Sequence, residues 1–251
     1  MLTDLPFKLS AKTYARIDGA LYLIVIAIGL WGEALVREKL IISGDVAATT
    51  ANIKSMESLW RFAIGAEILL LLLAVTSTWI FLILMRPVSA DLAWLATFFN
   101  LISIAVEAGI QLNLISALFP LGNHAYLKVF TPEQLSTMAY LPLRLHDYGF
   151  GLSLIFFACF CLVMGYLIFQ SGYLPKALGV LFQIAGLCYL INSFALLVSP
   201  ALADRLFPAI LVPSFIGELS LALWLTIKGV DAVKWQEKAR ALASSLSLQV
   251  S

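Results

Sequence analysis

Long apolar runs alternate along the chain with short polar interruptions. Six runs reach roughly the 20 residues that an α-helix needs to cross a bilayer with its backbone hydrogen-bonded internally. They cover residues 14–35, 62–85, 92–119, 143–169, 177–198 and 207–228. Strands with alternating polar positions are absent, so the pattern predicts an all-α polytopic membrane helix bundle of six transmembrane helices rather than a barrel. Arg86-Pro87 closes the second span, Ser89 caps the third, Gly172 closes the fourth and Pro175 opens the fifth.

Two of the outer connections are patterned as well. Segment 45–60 opens on a capping Asp45 and repeats Val46, Ile53, Met56 and Trp60 at near-helical spacing. That predicts an amphipathic helix lying on the outer leaflet. Thr131-Pro132-Glu133-Gln134 has the capping-box pattern and starts another short helix. Residues 230–251 read as a mixed-charge cytoplasmic tail, and 1–251 as a single transmembrane domain without repeats.

Composition agrees with this reading. The 251 residues are 61% hydrophobic and 12% charged, with a mean hydropathy of +0.95. A soluble domain is about 45–50% apolar and about 25% charged. This excludes a cytosolic enzyme, a disordered chain and a disulfide scaffold. A net charge of +1 offers no surface for nucleic acid. The partner implied is the lipid bilayer, with room for a small-molecule or lipid-like ligand. Cys159, Cys161 and Cys188 lie in apolar runs without zinc spacing or C-x-x-C, and read as small hydrophobes. The first run lacks an obvious cleavage site and reads as a retained anchor helix.

Lys and Arg divide nine to seven in favour of the side that carries both termini, which predicts N-in, C-in. Trp31 and Trp60 then fall in an outer aromatic belt, and Trp79, Trp94 and Trp224 in an inner one.

An ionisable side chain inside a span costs about 2.5–3.5 kcal/mol on insertion scales, so such groups mark the candidate site. Helix one carries Asp18, Tyr22, Gly29 and Glu33 near one stripe. Asn100, Ser103, Glu107 and Gln111 form one polar face of helix three. Glu67 begins helix two, Arg144, His146, Asp147 and Tyr148 open helix four, Asn192 closes helix five, and Ser214 and Glu218 lie in helix six after Pro213. With the N-terminus inside, Glu33, Glu67, Glu107, Gln111, His146, Asp147, Asn192 and Glu218 all fall toward the outer half, around a shared polar cavity. Several of these have a simple local partner. Glu33 can pair with Arg37, Arg144 with Asp147, Asp18 with Arg16 or Lys12 at the inner surface, and Glu67 can face water. Glu107 and Glu218 are the deepest, and need partners or a ligand.

Glu107, Glu218, His146 and Asp147 form a conceivable hard-to-borderline metal set, but only two histidines exist and no metal-binding spacing appears. Walker and Rossmann glycine patterns are missing, as is support for a nucleophilic triad. The sequence leaves the question of a cofactor open.

Residues 145–194 carry a resemblance. Their H-x-Y-G start, GYLIFQSGYLPKALGVL centre and GLCYLINSF end, together with ARIDGALYLIVIAIGLWGEALVREKLI and GDVAATTANI upstream, resemble an uncharacterised bacterial membrane family, domain of unknown function 4386. The most specific element is SGYLP-x-x-LG. The resemblance covers roughly Lys12 to Lys228 and implies a helical inner-membrane protein. It brings no activity or catalytic residues, and Asp18 stands where the family pattern has a small residue.

Three functions remain open. The first is a module that binds or transports a small cation or amphipathic molecule in the outer-half cavity. The second is an intramembrane enzyme that uses a buried carboxylic acid on a lipid-soluble substrate. The third is a structural or regulatory subunit whose acids serve only helix packing.

Overall fold

Ser10 starts the first helix by accepting the Thr13 N–H at 3.1 Å, in a computed structural model that describes residues 9–249, with main chain alone for 245–249. Helix α1 runs Ala11–Leu40. Its segment Trp31–Arg37 is a π-helix, wider than the α-helical turns on either side. There follow α2 (Val46–Ser55), α3 (Glu57–Met85), α4 (Ala90–Ser116), a 3-10 turn at Ala125–Val129, α5 (Pro132–Ser171), α6 (Lys176–Val198), α7 (Pro200–Leu206), α8 (Leu211–Ile227) and α9 (Ala232–Gln249). No strand occurs among the described residues.

Five of these helices are long and apolar enough to cross a membrane, or six if α7 and α8, bent by 58°, make one span. This is a helical membrane-type protein. The spans pack in chain order as a ring, in which α1 touches α3, α3 touches α4, and so on through α5, α6 and α8 back to α1. One end of the ring, here called proximal, holds Ala11, Met85, Ala90, Ser171 and Ile227; the distal end holds Leu40, Glu57, Ser116 and Leu211.

Apolar packing fills the ring in two places. The proximal cluster sets Tyr22 edge-to-face against Phe81, Phe81 against Phe160 and Phe160 against Phe182. The distal cluster gathers Leu40, Ile53, Trp60, Leu114 and Leu143. Polar side chains of the spans lie largely between and around these two plugs.

Several elements differ from their sequence expectation. The capping box at Thr131 and Gln134 is present, yet it opens the 40-residue α5 rather than a separate short helix, and Pro142 does not end it. At 1.5 Å per residue α5 is about 60 Å long, about twice a bilayer core. The last span starts at Leu211 rather than 207, because Pro200–Leu206 forms its own turn of helix. Pro213 therefore sits in the first turn of α8, where its missing N–H costs no hydrogen bond, and is not a mid-span breaker.

Asp45 caps α2 as expected, accepting the Ala48 N–H at 2.9 Å. The buried face of α2, Thr49, Thr50 and Ile53, is turned onto protein rather than lipid, with Thr50 Oγ1 donating to Ser136 Oγ of α5 at 3.3 Å. Trp60 leaves the expected belt for the core, where it is 1% exposed and its indole N–H donates to Leu114 O at 3.0 Å. The tail does not hang free. Trp235 of α9 donates to Leu84 O at 2.9 Å, and Lys238 to Gln170 O at 2.7 Å.

Candidate functional site

The π-helical turn at the distal end of α1 brings Glu33 and Arg37 onto one side and rolls Arg37 toward the bundle. The guanidinium is shared between two carboxylates, Glu33 at 2.5 Å and Glu67 of α3. Glu67 is buried, a correction to its expected place in water. Gly32 makes room for it, since a Cβ there would lie 2.8 Å from Glu67 Oε1. The other Glu67 oxygen accepts the side-chain amide of Gln111, on α4, at 2.8 Å.

Gln111 is 1% exposed, and its own oxygen has no hydrogen-bond donor among the described residues. Glu107 lies one turn away on the same face of α4, half-buried and within electrostatic reach of Glu67 and Arg37. Ser103 donates to Ser153 O at 2.9 Å and Gly149 faces Ile110, so α4 and α5 run antiparallel with His146 level with Gln111. His146 is buried, stacked on Phe150, with its Nε2 unpartnered among the described residues. Asp147 is turned outward and pairs with Arg144 at 3.3 Å. Beside Arg37 lies a cavity of about 10 Å³ lined by Trp60, Ala63, Ile64 and Leu114, the room of one water.

Glu218 does not join this cluster. It lies nearer the middle of the ring, where Tyr22 of α1 donates to one of its oxygens at 2.8 Å and Tyr189 of α6 to the other. Both oxygens are thus engaged by phenols, and Phe157 packs edge-on against Tyr189. The single shared cavity expected from the sequence is, in the structure, two groups of carboxylates. Ser214 is wholly buried and donates to Ala185 O at 3.2 Å. Asn100 donates to Thr78 Oγ1 at 2.7 Å. Asn192 keeps a buried side-chain oxygen without a partner among the described residues. Glu107, Glu218, His146 and Asp147 do not gather, and no three His, Cys, Asp or Glu side chains among the described residues could hold a metal ion together.

Two residues do more than their sequence pattern signals. The spacing offers Arg37 as a local partner for Glu33, and within the π-helical turn it bridges to Glu67 as well. The sequence offers Asp18 a place at the inner surface with Arg16 or Lys12. It is instead 0% exposed, while Arg16 donates to Ile227 O at 3.2 Å.

The family described as domain of unknown function (DUF4386) matches residues 17–229. An uncharacterised protein of Archaeoglobus fulgidus is 27% identical over 173 residues, 67% of this chain and 84% of that relative. No solved structure matches the chain.

Proposed function

The chain belongs to the domain of unknown function 4386 family, and from that premise we propose that it binds a small monovalent cation, for holding or transport, in the polar cluster at the distal end of the ring. One observation carries the reading. Gln111 commits its N–H to Glu67 and keeps a buried oxygen without a donor among the described residues, one helical turn from the Glu107 carboxylate. Burying an acceptor unpaired costs about 1–3 kcal/mol, so the cluster favours an occupant that brings positive charge or N–H donors.

The balance of charge points the same way. Glu33, Glu67 and Glu107 face a single arginine. Hard oxygen acceptors suit sodium or potassium, and no protein cage for a divalent ion is preassembled among the described residues. The basic residues on the opposite face support the N-in, C-in orientation, which makes the distal end the outer one and the cluster accessible from outside the cell membrane.

Thermal unfolding of the purified protein in detergent tests this, with sodium, potassium and choline chlorides compared at equal ionic strength. At 100 times its dissociation constant a ligand stabilises by about 2.7 kcal/mol. The wild type should gain stability in at least one of these salts over the others, and Glu107→Gln should fold and lose that gain. Equal midpoints for both proteins in all three salts would refute the reading and favour a purely structural role for the acids.

A further inference from the structure

Asp18 has no part in the distal cluster. It lies seven residues into α1, about 10 Å from its start, where the helix is clamped against α8. A Cβ on the neighbouring Gly19 would come within 2.8 Å of Ala222 O, so the two backbones touch and leave no path for water on that side. Asp18 is 0% exposed, and neither carboxylate oxygen has a hydrogen-bond donor in good alignment among the described residues.

The groups around it are few. From α3, the buried Ser77 hydroxyl lies against it. From α8 comes Thr226, whose hydroxyl already donates to Ala222 O at 2.7 Å. On α1 itself Tyr22 turns its hydroxyl to Glu218, and Arg16 turns to Ile227 O. Among the described residues no charged side chain pairs with it. A bare carboxylate here would be a buried, uncompensated charge, an arrangement that costs several kcal/mol.

We propose that Asp18 and Ser77 form a second monovalent-cation site, in the proximal half of the ring, whose occupant is an exchangeable proton or a sodium ion. The carboxyl supplies the charge, and the serine hydroxyl either accepts the acid proton or adds an oxygen to a bound ion. The site stands on its own geometry and does not depend on the distal cluster. With the distal cluster it provides stations in both halves of the bundle.

The test is labelling of the wild-type protein with a hydrophobic carbodiimide, which reacts with protonated carboxyl groups in apolar surroundings, read by peptide mass spectrometry between about pH 5 and pH 9. An adduct at Asp18 is expected whose yield falls toward high pH, by about tenfold per pH unit above the midpoint. It should be absent from Asp18→Asn, and Ser77→Ala should move the midpoint. Protection by sodium chloride but not choline chloride identifies a sodium site; equal labelling in both identifies a proton site. A yield independent of pH, or no adduct at all, would overturn the proposal, because the acid would then be a fixed structural group or sealed from exchange.

Discussion

The two ends of the ring solve the problem of buried polarity in opposite ways. At the distal end charge is met by charge, as Arg37 serves Glu33 and Glu67 while Gln111 braces Glu67 from α4. At the proximal end close packing dominates. The aromatic plug, the contact of Gly19 with α8 and the paired hydrogen bonds of Tyr173 and Trp235 to Leu84 O surround one buried acid, Asp18, that has no charged partner among the described residues. A network of polar groups fixes geometry only while all its members are present. A packed interface instead responds to volume. The distal end should therefore fail by loss of one charge, and the proximal end by gain of one methyl group.

The largest expected effect tests the distal half of that contrast. Arg37→Ala leaves Glu67 buried without its counter-ion, and should lower unfolding free energy by about 3–5 kcal/mol. Adding Glu67→Gln should recover a substantial part of the loss, as measured by a double-mutant cycle in detergent. If Arg37→Ala costs no more than an exposed pair such as Arg61 with Glu57, about 0–1 kcal/mol, the distal end is not held by charge.

Gly19→Ala comes next. It forces α1 away from Thr226 and Ala222 and should cost about 1–3 kcal/mol, with cross-linking between α1 and α8 reduced; unchanged stability would mean that the contact is loose. The smallest effect is expected at Tyr173→Phe. The lost hydroxyl bond to Leu84 O, 2.6 Å long, leaves that carbonyl still served by Trp235. A cost of about 0.5–1 kcal/mol is expected from chemical denaturation. A larger loss would show that the two donors act as a unit.

These differences also explain what could be read in advance. Spans two, three and five are legible because lipid demands an unbroken apolar stretch, and their starts and ends carry local signals such as Ser89 and Pro175. Helix α5 begins well before the fourth apolar run, because such a run marks the part suited to lipid and not the full helix. The distal continuation from Pro132 is held by its cap and by α2, which apolar content does not report. The polar face of α4 was legible from spacing alone, and Glu107 and Gln111 do lie together.

The split between Glu107 and Glu218 was not legible. Periodicity assigns a residue to a face of its own helix, and only the order of helices around the ring decides which faces meet. Asp18 departs from its sequence expectation for a related reason. Nearby Lys12 and Arg16 suggested an ion pair, whereas the Gly19 contact with α8 turns the acid inward and Arg16 toward a carbonyl.

Because neighbours around the ring follow chain order and α8 closes onto α1, no pair of adjacent spans depends on which connection is left open. Tying Gly229, whose surroundings include the Lys12 side chain, to the start of α1 and cutting instead at Gly44 would displace α9 but keep every span beside its present companions. The architecture is in this sense cyclic, and a permuted gene should yield the same wheel of helices with its seam moved elsewhere.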